Sequence, residues 1–418
     1  MAADSLLTEV EDGVRPALEW LAAGATAVPG GVGWTRTPER DDVDPTLYTG
    51  GAGNVLALLD GFRHFGSQTF GDVAARAAGG LSAAVDDWDH QALYFGRAGI
   101  AFALDAAGRI LGEDAWCRQA RAVLRDIHRR YDGERWSVQI ELLGGNAGIA
   151  LAALAIGDVE LAEAAVAPYV RLAEPTEHGV TWEGKTGLVA RFHHISHGTL
   201  GIVSALAAVA HATGRDDLLD LALAGAADVV SRNEVGDAGF LVPHSDPQHR
   251  PELVERYSYG WCHGPAGDAQ TFRLLHQVTG DEEWLRLQDR CWSTVIGSGV
   301  PERVRPGFWD NNGRCCGTAG VLALANDRMV ERGDDGVFAD VLVRDLLARA
   351  TTDADGVRWQ NVEHREDPST LPPEYGWAMG NAGIVRELLR YSRIRAGRDP
   401  DYAVILPDQP AATAPSPR

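Results

Sequence analysis

Three of the chain's five cysteines lie in two short segments: Cys262 with His263 behind it, and the vicinal pair Cys315-Cys316. A third segment, Ser196-His197, has the same form, and each of the three runs directly into Gly-x-x-Gly. Three thiolates with one position left open is the pattern of a catalytic zinc site, not of a closed structural one. An isolated Cys-Cys pair is as readily a reduced pair in a packed turn. Cys262 at the equivalent place one repeat earlier is what favours the metal. Cys117 and Cys291 sit inside amphipathic stretches and read as buried apolar fillers. With no basic n-region in the opening Met1-Ala-Ala-Asp-Ser, five cysteines do not make a disulfide framework.

The segments that must position these side chains recur along the chain. Gly-x-(Ala or Leu)-Gly occurs seven times, opening at Gly50, Gly96, Gly145, Gly198, Gly264, Gly317 and Gly380, each time followed by an apolar run. Such a period is the signature of a repeat architecture. Runs such as Ile149–Ala155 and Ile202–Ala210 are apolar nearly all round, as suits helices buried on most sides. Between them, stretches such as Asp114 to Arg130 and Asp281 to Val295 carry apolar residues at three- and four-residue steps, with charge on the other face. Each repeat therefore reads as an inner and an outer helix, with the glycine loop at the start of the inner one. The first and last copies look like the middle ones. An open solenoid would need polar caps, so the expectation is an all-α, α/α toroid with all seven loops at one end. The expected boundaries are a leading helix (Leu6 to Ala23) and linker over 1–44, the toroid over 45–406, and a disordered tail over 407–418. The Pro- and His-rich stretch from Phe240 to Arg256 is expected to be an elaborated loop.

Trp261-Cys262-His263-Gly264, Cys315-Cys316-Gly317 and Ser196-His197-Gly198, set on seven glycine-marked repeats, resemble the lanthionine synthetase C-like cyclases. That resemblance implies seven outer and seven inner helices. It also implies Zn2+ held by a fifth-repeat Cys and two sixth-repeat ligands, here Cys262, Cys315 and Cys316. The family adds peptide cysteine thiols to dehydroalanine or dehydrobutyrine, giving lanthionine or methyllanthionine. His197 occupies the position of the family's acid/base histidine, and Glu141 that of a carboxylate, usually Asp; it orients His197 or is only a solvated loop charge, the former being favoured. His263 replaces the usual aromatic; it is a second proton donor, an alternative ligand or a pocket wall, the first and last being favoured because Cys316 fills the third ligand position. Arg256 is the candidate for the arginine that precedes the first Cys, and it joins Trp261 as a candidate substrate-binding residue. His193 and His194 read as surface or loop residues. Cys-Cys-Gly in place of the family's usual Cys-His-Gly makes the donor set richer in thiolate, from which faster and less selective cyclisation is expected.

Composition narrows the partners. A net charge of −21 argues against a nucleic-acid backbone, and no apolar stretch reaches the ~18 residues that cross a bilayer. A cleft in an acidic protein suits a basic leader or core peptide. Lys185 is the only lysine; with abundant Ala, Gly, Val and Asp it reads as coding bias. The expected partners are a dehydrated precursor peptide and a separate dehydratase in the cytoplasm, with no nucleic acid and no membrane insertion. Addition of a small thiol such as glutathione to dehydrated residues, or a non-catalytic peptide-binding scaffold, is the alternative.

Overall fold

A computed structural model describes residues 2–410 of the chain. It opens with helix α1 (Ala2–Ala23) and a short antiparallel ribbon in which Gly31–Thr35 lies between Thr26–Val28 and Val43–Asp44. Six helical pairs follow: α2 (Gly51–Phe65) and α3 (Gln68–Ala84), α4 (Arg97–Leu111) and α5 (Asp114–Arg129), then α6 (Asn146–Ile156) with α7 (Val159–Val166) and its continuation α8 (Pro168–Leu172). The next are α9 (Thr199–Thr213) and α10 (Asp216–Ser231), α11 (Pro265–Thr279) and α12 (Glu282–Gly297), α13 (Thr318–Glu331) and α14 (Val337–Ala348). Helix α15 (Asn381–Arg395) is the last. The apolar runs form the inner helices: every residue of α6 but Leu154 and Ala155 is buried. The amphipathic stretches form the outer ones, and α5 buries Cys117, Ala120, Val123, Leu124 and Ile127 at helical spacing. Cys117 and Cys291 are both buried in the core, as expected.

Inner helices touch in the order α2, α4, α6, α9, α11, α13, α15, and α15 touches α2 again. The fold is thus a closed α/α toroid. Helix α1 packs along α15 and supplies its outer partner, so the seventh pair is assembled from the two ends of the chain. The stretch from Phe240 to Arg256 is anchored to the fourth loop, where Ser245–Asp246 pairs with Arg191–Phe192. After α15 the chain turns back inside the ring. Tyr402 donates to Glu387 on α15 at 2.7 Å, Ala403 meets Asp60 on α2, and Asp408 accepts from Tyr94 at 2.9 Å. Part of the expected disordered tail is therefore packed, since buried Asp408 finds a hydrogen-bond donor inside the ring; 411–418 lie outside the described residues.

Candidate metal centre and active-site cleft

The seven glycine loops do converge, and a cyclic hydrogen-bond ladder holds them together. The residue two before each first glycine donates its amide to the carbonyl of its equivalent in the next repeat. Tyr48 donates to Tyr94, Tyr94 to Leu143, Leu143 to Ser196, Ser196 to Cys262, Cys262 to Cys315, Cys315 to Ala378, and Ala378 back to Tyr48, at 2.8–3.4 Å. Buried amides need partners, and here they find them only in the neighbouring loop. The glycines make the approach possible. A Cβ on Gly53 would lie 2.6 Å from the Leu47 oxygen and 2.9 Å from Cβ of Trp377 across the ring closure.

This ladder brings Cys262, Cys315 and Cys316 together. Cys262 Sγ is 3.1 Å from Cys316 Sγ, and Cys316 Sγ is 3.5 Å from Cys315 Sγ. All three sulfurs lie within 4.8 Å of one another. Sulfurs at ~2.3 Å from a tetrahedral centre would stand about 3.8 Å apart, so the set fits a thiophilic ion. Cys315 and Cys316 precede α13 and Cys262 precedes α11, where free amides and the helix dipole favour a thiolate. Hydrogen bonds from Cys262 and Cys316 hold the Cys315 thiol well below its usual pKa against the cost of burial, and Tyr48 and the His197 charge add to this. Tyr48 Oη donates to Cys315 Sγ at 3.3 Å. Burial keeps that phenol protonated by raising its pKa well above the usual value.

Beside the thiols, His197 Nδ1 lies 3.3 Å from Glu141 Oε1. Glu141 is 1% exposed and its carboxylate is fixed on several sides. Gln139 Nε2 donates at 2.9 Å, the Gly144 amide at 3.1 Å, and the Leu143 amide also donates. With Nδ1 held by Glu141, Nε2 of His197 is the ring nitrogen left for substrate. Burial is the largest single influence on His197 and lowers its pKa. The charge and hydrogen bond of Glu141, with Cys315, outweigh it, and the pKa is raised above 6.5. A cleft of about 490 Å3 opens here, walled by Glu141, Lys185, Phe192, His197, His244 and His263.

The other sequence candidates fall differently. His263 is in the cleft wall, its ring 3.8 Å from that of His244 and 5.6 Å from that of His197. Burial, then the neighbouring imidazoles, push its pKa well below 6.5. Trp261 is not brought to the cleft. It is 1% exposed and packs beneath the floor against Tyr94 and Trp377, with the Arg314 guanidinium 5.8 Å from its ring. Arg256 is not brought there either: its side chain turns outward to Glu234 and Tyr257. His193 and His194, read as surface or loop residues, are fully buried. His194 Nδ1 is 2.9 Å from Asp268 Oδ2 on α11, a partner 74 residues away that no local pattern announces. Tyr48 and Lys185 were missed as site residues. For Tyr48 the signal was present, since it stands in the same register position as Cys315.

Fold and site define an α/α toroid with a cluster of thiols and a His–carboxylate pair at the loop end of the ring. A family model for lanthionine synthetase C-like proteins matches residues 41–393. The chain belongs to that family. Among solved structures it is similar to nisin cyclase, at 16% identity over 85% of this chain and 92% of that one, with a TM-score of 0.60. An unsaturated glucuronyl hydrolase from Bacillus sp. GL1 also matches, at 15% identity over 82% of this chain and 96% of that one, with a TM-score of 0.49. No curated protein matches by sequence.

Proposed function

We propose that the protein is a zinc-dependent lanthipeptide cyclase that adds peptide cysteine thiols to dehydroalanine or dehydrobutyrine, closing lanthionine and methyllanthionine rings. The observation that carries this reading is the placement of three thiols and the His197–Glu141 pair side by side at one end of the toroid. Cys262, Cys315 and Cys316 would hold the zinc, which when bound supplies Lewis acidity that ionises a thiol at neutral pH. The remaining chemistry falls to the chain itself. Sulfur bonds to Cβ, the Cα=Cβ electron pair moves toward the carbonyl, and the resulting enolate must gain a proton at Cα. His197, held by Glu141, would carry that proton. Phe192, His244 and His263 shape the wall against which the peptide lies.

The substrate in this reading is a precursor dehydrated by a separate enzyme in the cytoplasm; among the described residues no helix is long and apolar enough to cross a membrane. Incubating the purified protein with a dehydrated, cysteine-containing peptide and counting free thiols by alkylation and mass tests it. Loss of thiols without change of peptide mass is expected, together with about one zinc per chain that disappears in Cys262→Ala. Intermolecular addition of glutathione in place of ring closure would favour the small-thiol alternative. Unchanged peptide thiols with no glutathione added to the peptide, against a control without protein, would overturn both.

A further inference from the structure

Lys185 is the only lysine in a chain whose other fixed cations are all arginines, and it lines the cleft beside Glu141 and His197. Its backbone is clamped there. Gln139 and Lys185 form an antiparallel bridge, flanked by Ile140 N to Gly184 O and Thr186 N to Val138 O, both 2.9 Å. Residues paired across such a bridge project to the same side, and the Gln139 side chain reaches Glu141 at 2.9 Å. The stem of Lys185 therefore leaves the backbone on the cleft side. Gly184, next to it, lies directly against this floor: a Cβ on it would stand 2.8 Å from the His197 carbonyl oxygen and 3.8 Å from Cβ of Glu141.

The charge is also uncommitted. Among the described residues no carboxylate forms an ion pair with Lys185, while Glu141 is engaged by His197 and by its amide donors, and Glu183 accepts from the Gly187 amide at 2.7 Å. Lys185 is the single Lys or Arg among the residues lining this cleft. Its exposed, flexible ammonium can follow a charge that appears only during reaction.

We propose that Lys185 stabilises the enolate formed when a thiol adds to the dehydrated residue, by facing its carbonyl oxygen. This rests on the cyclase reading above. The thiolate pair forms the S–Cβ bond, and the Cα=Cβ pair becomes the enolate with its charge on oxygen. Protonation at Cα then returns the carbonyl. The proton lost by the thiol equals the one gained at Cα, and no other reactant is needed. An interaction made only in the transition state lowers kcat when removed and leaves KM alone.

The test compares wild type with Lys185→Met, Lys185→Arg and Lys185→Ala on one dehydrated peptide, measuring kcat, KM, zinc content and circular dichroism. A fall in kcat of roughly ten- to a hundredfold is expected for Met, below the 10²–10³ of an enclosed donor because this one meets water. KM and zinc should hold, Arg should recover part of the rate, and ethylamine should restore Lys185→Ala in proportion to its concentration. An unchanged kcat, or a loss confined to KM, would overturn the assignment while leaving the cyclase reading intact. Wild type that closes no rings would overturn both.

Discussion

His197 can deliver a proton only while it carries one. Its pKa is raised because Glu141 and Cys315 outweigh burial, so the protonated ring persists to higher pH than an ordinary imidazole does. Replacing Glu141 by Gln removes the raising charge. The fall of kcat at high pH should then move to lower pH with zinc retained, and a pH profile that stays in place would detach Glu141 from the proton transfer. His197→Gln should cost about 10²–10⁴ in kcat. Two other imidazoles run the opposite way. Burial holds His193 at about 2 and His244 at about 3, both far below the 6.5 of an unfolded histidine. The unfolded chain binds more protons in that window. Stability is therefore full above about pH 6.5 and is lost as pH falls toward the folded values, by up to about 1.4 kcal/mol per pH unit for each ring. Urea unfolding at pH 7.5 and 5.5 should show the loss, and His193→Leu should reduce the slope by one histidine's share. A slope unaltered by that change would mean His193 is protonated in the fold.

The seven glycine loops are elements in which local sterics and long-range assembly coincide. A Cβ on Gly267 would overlap the Trp261 carbonyl oxygen and stand 2.7 Å from Cγ2 of Ile195 in the preceding repeat. Gly267→Ala must push the loop that carries Cys262, and a cost of about 3 kcal/mol or more is expected, with weakened zinc retention. Gly297, at the end of α12 with nothing within 4 Å of an added Cβ, is the control. Gly297→Ala should be neutral or stabilising by about 0.4–1 kcal/mol. Thermal midpoints and zinc content of the two variants decide it; equal behaviour would mean that the loops tolerate movement. The same steric demand explains why so much was legible. It repeats at every loop, so Gly-x-x-Gly marks the inner helix starts and puts Ser196, Cys262 and Cys315 in one register position and His197, His263 and Cys316 in the next. What was not legible depends on single long-range pairs. His194 with Asp268, Tyr94 with Asp408, and the Gln139–Lys185 bridge leave no period in the sequence. Lys185 in particular looked like compositional residue until the bridge set its direction.

At the scale of the whole molecule, the ring is closed by its two ends. Helix α1 carries none of the site residues, yet it covers α15 and links to α2 through Glu11, which accepts from Ser392 Oγ at 3.2 Å and meets His64 at 3.3 Å. Leu6, Val10, Val14, Leu18 and Leu21 are all fully buried. At ~1.5–3 kcal/mol for each such side chain, their burial is worth on the order of 10 kcal/mol, comparable with the whole stability of a domain. In an open solenoid, loss of a terminal helix would leave distant repeats folded. In this ring it exposes α15, and with it the seam where Ala378 donates to Tyr48 and Tyr48 reaches Cys315. A chain beginning at Gly24 should therefore be insoluble or unfolded and hold no zinc, although every proposed ligand is present. A gentler version keeps the full chain: Val14→Asp should lower the thermal midpoint, with zinc release and helix loss occurring together at the new temperature. Zinc retained through the melting of α1 would show that the ring tolerates opening, and closure would then not be what holds the thiols in register.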